Sequence, residues 1–309
     1  GVVSIAGMQV INDLIVEPGT DVHMAADASI VIRGKLQADG TALKPIRFLS
    51  VDSTSKPWGT IAIVGPGANG SSLRHCEFSG GSGFKGALQE YSAMLSIHDV
   101  QSVTIADCLF RDNQVVDDMV HAVYSDIRFE RVQFKNALAD ALDLDICKAV
   151  ITDSQFDNSG NDALDLMTTN AVVTGSVFRT SGDKGISVGQ GSTVTLHRNL
   201  VVGCNNGIAI KDNSSAYIIN NTFFYNDTAV SCYEKNQGAG GGTAEIVNTI
   251  FSNNLSSSVY VDDLSIISVS YTLSDSELLS GEGNLFSDPL FIDKTVYNFE
   301  LTLGSPCID

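Results

Sequence analysis

Asp140-Ala141-Leu142-Asp143-Leu144 is followed by Asp162-Ala163-Leu164-Asp165-Leu166, then by Lys184-Gly185-Ile186-Ser187-Val188, Asn206-Gly207-Ile208-Ala209-Ile210 and Thr228-Ala229-Val230-Ser231-Cys232. The second residue of each phrase falls at 141, 163, 185, 207 and 229, a constant step of 22 residues. A second set of phrases, at 151–156, 173–178, 196–201 and 218–223, keeps near-register with the first. Inside each phrase apolar residues alternate with polar or small ones, which is strand spacing. The joints carry Gly, Asn, Asp and Ser, the residues that make turns. No apolar run is long enough for a helix, so helical repeats are disfavoured. One such unit cannot bury its own apolar face and has to stack on its neighbours. The period therefore predicts an all-β solenoid, a parallel β-helix of roughly 22-residue coils in which each coil hydrogen-bonds to the next.

Two recurrent wordings make the architecture specific. Gly185-Ile186-Ser187-Val188, Gly207-Ile208-Ala209-Ile210 and Asn220-Asn221-Thr222-Phe223 resemble the right-handed parallel β-helix superfamily, the pectate-lyase-like proteins. Ser287-Asp288-Pro289-Leu290-Phe291-Ile292-Asp293 with Gly304-Ser305-Pro306-Cys307-Ile308-Asp309 resembles the terminal signature of secreted bacterial β-helix proteins. The resemblance implies one elongated domain over residues 1–309, with roughly ten or eleven coils and a rod on the order of 50 Å long. Residues 1–50 are expected to form the first coils and a cap over the open core end, because an uncovered end exposes apolar side chains and strand edges. Residues 140–233 are the most regular coils, and 285–309 close the helix.

Departures from the rhythm locate insertions. From Phe78 to Phe110 the step is 32 residues, which places an inserted corner loop at 79–91; slight slack follows at 112–118, and a second insertion covers 234–242. Corner loops of solenoids commonly carry binding residues.

The chain has 36 Asp and Glu against 18 Lys and Arg, a net charge of −18. That sign excludes binding through nucleic-acid phosphates. It suits either a solubilised surface or cation coordination by stacked carboxylates, calcium above all. No stretch reaches the roughly 20 apolar residues of a membrane span. Gly1 begins no signal peptide, so the sequence reads as an excised mature module of a larger protein. By resemblance it belongs outside the cell or on its surface. The six cysteines lack zinc-ligand spacing. Cys232 falls in the inward column of Leu144, Leu166, Val188 and Ile210, while Cys76 and Cys108 share a column in which adjacent coils would bring them within disulfide reach.

In the first phrase Ala141, Asp143 and Asp145 are expected to point outward, since the alternate residues are apolar. Stacking then gathers Asp140, Asp143, Asp145, Asp162, Asp165 and Asp183 on one face, with Lys184 and Lys211 as counter-charges. Such a crowd of carboxylates needs counter-charge, a metal or a use for a protonated acid. Asp143, Asp145 and Asp165 are the calcium candidates; Asp143, Asp165, Tyr233 and Lys235 are the substrate-contact candidates.

A finer resemblance is to the polygalacturonases. Ala139-Asp140-Ala141, Gly160-Asn161-Asp162, Gly182-Asp183-Lys184-Gly185-Ile186-Ser187-Val188-Gly189 and Ala209-Ile210-Lys211 occupy the places of that family's four motifs. This implies catalytic roles for Asp140, Asp162, Asp183, Lys184 and Lys211, although Asn161 replaces one acid and Lys184 stands where the family has His. Asp140 and Asp162 would supply the carboxyl pair of a hydrolase. A uronate lyase would instead take Lys184, Lys211, Lys235 or Arg198 as base, with calcium, and His121, beside Asp117 and Asp118, as a conceivable acid. The reading favoured by the departures is a module that engages extracellular polysaccharide by binding, with uronic-acid polymers among the candidates. The alternatives are a hydrolase or lyase and a structural spacer.

Overall fold

The computed structural model describes residues 1–51 and 56–308, and they form three parallel sheets wound into a solenoid. Sheet A has thirteen strands, from Val2–Ile5 to Leu285–Phe286. Sheet B has eleven, from Met8–Ile11 to Ser257–Val261, and sheet C has eleven, from Leu14–Val16 to Ile266–Ser270. The chain runs A, B, C in every coil, so eleven coils are complete and sheet A continues for two short strands more. The register keeps the 22-residue step: Leu142 pairs with Leu164, Leu164 with Ile186, Ile186 with Ile208 and Ile208 with Val230, all fully buried. Among the described residues no helix is long and apolar enough to cross a membrane.

Parallel in-register pairing places like residues directly above one another, and the core exploits this. Phe48, Phe78, Phe110, Phe134, Phe156 and Phe178 stack through sheet A with ring centroids 4.6 to 5.5 Å apart. That is close to the spacing of the strands themselves. The corners are as repetitive. Between sheets C and A one residue per coil, Arg131, Asp153, Gly175, Arg198 or Asn220, takes a left-handed conformation with φ from 49° to 63°. A buried polar residue soon follows it and caps the neighbouring coil. Ser154 Oγ accepts the Val132 N–H at 3.1 Å, Ser176 Oγ that of Ser154 at 3.1 Å, and Asn199 Oδ1 that of Ser176 at 2.9 Å. These ladders offset the cost of non-glycine residues at positive φ, about 1–2 kcal/mol each.

Four expectations need correction. Ala141 is buried rather than outward, as are Ala163 and Ala229. The corner turns the chain inward one residue before the strand, and small residues are needed there because a Cβ on Gly207 would lie 2.5 Å from the Ala229 carbonyl. Cys76 and Cys108 do sit in adjacent coils, Phe78 pairing with Phe110, yet both are free thiols. The Cys76 Sγ donates to the Ala38 carbonyl at 3.1 Å and the Cys76 N–H donates to the Cys108 Sγ at 3.4 Å. The cap expected within residues 1–50 is not built by them: they wind as coils, and inward Ile5, Ile11 and Leu14 are only partly buried. The closing segment does more than cover an end. Phe291–Asp293 and Asn298–Leu301 pair antiparallel, and the Phe299 ring lies 5.0 Å from Phe224 on the flank of sheet A.

Both insertions form. Residues 79–91 carry an antiparallel hairpin, Phe84–Lys85 against Glu90–Tyr91, at the corner leading into sheet B. Residues 234–242 connect Thr228–Tyr233 of sheet B to Thr243–Val247 of sheet C.

Candidate active site on the outer face of sheet B

One column of outward residues organises this face. His121 pairs with Asp143, Asp143 with Asp165 and Asp165 with Ser187, so they stand on consecutive coils. The next column brings Asp145 beside Met167. Asp118 and His121 lie one period upstream of Asp140 and Asp143: the strand Asp118–Val123 is a further copy of the repeat, concealed by its different wording.

The expected catalytic pair is occupied structurally. Asp140 Oδ1 accepts the Asp162 N–H at 2.8 Å and the Asn161 amide at 2.7 Å. Asp162 Oδ1 accepts the Lys184 N–H at 2.9 Å, and the Lys184 ammonium sits 3.5 Å away. These carboxylates do at the A-to-B corner what Ser154 and Asn199 do at the C-to-A corner. Burial pushes Asp162 up to about 6 even though Lys184 pulls the other way, and burial likewise raises Asp140. Lys184 is held by Asp162 and by a short contact to Asp183; burial would lower its ammonium, but the two carboxylates outweigh it and raise it.

His121 is placed differently. Its Nδ1 lies 2.8 Å from Ser92 Oγ, and Ser92 Oγ donates to Asp118 Oδ2 at 2.8 Å. The single Ser92 proton is thus committed to Asp118, so the Ser92 oxygen accepts from the imidazole. With Nδ1 donating to Ser92, the form of the ring able to take a proton is the one whose Nε2 is free of hydrogen. Nε2 faces Asp145 Oδ2 at 3.4 Å and Asp143 Oδ2 at 3.8 Å. Burial, followed by the charges of Asp118, Asp145, Asp165 and Asp140, pushes Asp143 up to about 9, which keeps it protonated at neutral pH. Burial pushes Asp118 up to about 6, with its Ser92 hydrogen bond opposing. A base nitrogen and a protonated carboxyl accordingly sit side by side on a partly open surface.

Behind this pair lies an aromatic and imidazole relay of contacts. The His121 ring packs edge-on to His98 with centroids 5.7 Å apart, and His98 meets Tyr91 at 5.3 Å. Burial holds His98 down at about 4, so it is neutral. Toward the C-terminal coils Lys211 is buried and bends back one coil to the Ser187 hydroxyl in a short contact, and burial lowers its ammonium. Gly189 makes room for its stem: a Cβ there would lie 3.0 Å from Lys211 Cε. Tyr233 pairs with Lys211 and is half-buried, whereas Lys235 is exposed on the 234–242 insertion, its backbone N–H donating to Asp212 at 2.8 Å. Asp183 is at the rim beside Lys184.

Of the carboxylates named for calcium, Asp143 alone belongs to the group whose ligand atoms converge. Asp118, His121 and Asp143 offer one atom each within 4.8 Å of one another. Two carboxylates and an imidazole are fewer oxygens than the six to eight that calcium takes, and the nitrogen suits a borderline transition metal better. Sequence reasoning reached His121 through its acidic neighbours but missed Ser92, His98, Tyr91 and the role of Asp118. Extending the 22-residue step one coil upstream finds Asp118 and His121; nothing in the pattern marks Ser92.

Residues 119–270 match the family model described as right handed beta helix region. Among curated proteins no sequence relative is found. Among solved structures the chain is similar to the periplasmic alginate epimerase AlgG, with 12% identity, a TM-score of 0.51, and coverage of 87% of this chain and 76% of that one. It is also similar to the pectate lyase Pel9A, with 12% identity, a TM-score of 0.50, and coverage of 98% and 91% respectively.

Proposed function

We propose, from a parallel β-helix whose residues 119–270 match the right handed beta helix region, that the outer face of sheet B binds a uronic-acid polysaccharide and transfers a proton at the carbon bearing the uronate carboxyl group. The observation that carries this reading is His121, fixed by Ser92 and Asp118 with Nε2 turned outward, 3.8 Å from Asp143 Oδ2, on a carboxyl that burial pushes toward its protonated form. In the reaction the C–H proton passes to His121 Nε2 and the electron pair is delocalised into the carboxyl group. The Asp143 carboxyl donates a hydrogen bond to that group, where negative charge grows. The electron pair then either takes a proton from water on the opposite face, giving the epimer, or expels the neighbouring glycosidic oxygen, which takes up a proton from water, giving an unsaturated sugar. Polysaccharide lyases and epimerases among the similar folds support this class of substrate, and such a polymer would place the protein outside the cytoplasm, as a secreted or surface module.

An acidic face must still accept an acidic polymer. Three features favour it: burial pushes Asp143 toward its uncharged form, Lys184 offsets one of the two charges of Asp162 and Asp183, and Lys211 touches a hydroxyl, with no ion pair to a carboxylate among the described residues. Lys211 is the residue we assign to a substrate carboxylate further along the chain. The polygalacturonase-type hydrolysis fits less well, because Asp140 and Asp162 each commit Oδ1 to a backbone N–H group.

Incubation with a panel of polyuronates tests the reading. Ultraviolet absorbance from an unsaturated product, or a changed ratio of epimers by NMR, is expected with one of them, reduced by at least about 100-fold in Asp143→Asn. Release of reducing ends without unsaturation would point to hydrolysis instead, and binding without any product would return the protein to a purely binding role.

A further inference from the structure

Building on that reading, we propose that the 84–91 hairpin closes one end of the sheet B face, so that the site takes the terminal sugars of an acidic polysaccharide rather than an internal stretch. Val31 and Ala62 lie in the same outward column as His121, through Ser96. On an uncovered sheet these outward side chains would meet water. Here Val31 is 2% exposed and Ala62 not at all, and they form a small apolar cluster with Tyr91, separate from the main core, against which Phe84 and Val64 pack.

The hairpin therefore lies across the face as a wall. It is held by the burial of an aromatic ring on apolar residues, and Tyr91 is its inner surface. That ring reaches His98, which reaches His121, so the wall stands immediately behind the base nitrogen. In the other direction the column runs over Ser187, Ala209 and Ser231, small residues that are themselves buried. The column continues from Asp143 to Ser231 and on to Tyr260, which is 52% exposed beside a hollow of about 340 Å³ bounded by Ser231, Tyr233 and Glu234. A polymer laid along the axis enters from the C-terminal coils, passes Lys211, and ends with its last sugars against His121, His98 and Tyr91.

The test counts protein molecules per polymer chain. His121→Ala, silenced so that the substrate survives, is titrated with oligouronates of increasing length and followed by sedimentation and calorimetry. One protein per chain at every length is the expected result. Occupancy that grows in proportion to length would overturn the inference while leaving the polysaccharide reading intact. No binding at any length would overturn that reading and the inference with it. Replacing residues 84–91 by a short Gly-Ser link should raise the occupancy of long chains above one, and the same is expected of Phe84→Ala combined with Tyr91→Ala. Should neither variant fold, the length series on the full hairpin decides alone.

Discussion

Asp143 is where the structure asks most of a single residue, because its carboxyl faces Asp118, Asp145, Asp165 and Asp140 from a largely buried position. Its affinity for a proton rises from the usual carboxylate range to about 9 in the fold. Between about pH 4 and 9 the native chain therefore binds a proton that the unfolded chain has released, and stability falls as pH rises through that window. Asp118 and Asp162, pushed up to about 6, add to the same slope between about pH 4 and 6. The melting temperature is expected to be highest in mild acid and to decline toward pH 9, with a shallower decline in Asp143→Asn. Turnover should show an alkaline limb near pH 9 as the carboxyl ionises. A scan of both across pH checks the assignment, and a profile for Asp143→Asn that matches the wild type would contradict it. The same carboxyl bears on calcium. With Asp143 protonated and an imidazole in the converging group, millimolar calcium is expected to leave the melting temperature at neutral pH unchanged. A rise of several degrees would return the ion to Asp143, Asp145 and Asp165.

Strands and corners were legible in unequal measure. The column Leu142, Leu164, Ile186, Ile208, Val230 follows from alternation and the 22-residue step, and the paired strands reproduce it. Corners are harder to read, since the same Asp can be a turn residue, a ladder acceptor or an acid. Asp140 and Asp162 matched a glycosidase motif by position, yet their oxygens close backbone hydrogen bonds between coils. Ala141 followed the alternation rule and still turned inward, because the rule describes a strand and that residue belongs to the bend before it. Asp162→Asn should fold and retain most of its turnover, since the amide oxygen still accepts the Lys184 N–H. Asp162→Ala orphans that N–H and leaves Lys184 with Asp183 alone. A loss toward the lower end of roughly 3–5 kcal/mol is expected for it in denaturant unfolding. Turnover abolished in Asp162→Asn, with stability intact, would restore the residue to the chemistry.

Over the whole molecule the solenoid supplies a stiff, repetitive floor, and function depends on where that repetition fails. The 79–91 insertion brings Tyr91 to His98 and leads directly into Ser92, which holds His121 through Nδ1; the 234–242 insertion stands at the opposite end of the face. Length differences between phrases disclosed both insertions. What they would touch was hidden, because contacts between a loop and coils well away in sequence leave no periodic mark. The central claim is that His121 removes a proton from the polymer, and deuterium uptake measures it most directly. With the responsive polyuronate in deuterated water, NMR should show deuterium appearing at the carbon beside the carboxylate in epimerised or residual sugars, or the original proton lost from that carbon in an unsaturated product. His121→Ala, folded to the same melting temperature within a few degrees, should lower the rate by at least about 100-fold. Unchanged exchange in that variant, or none from the wild-type protein with any polyuronate, would contradict the account.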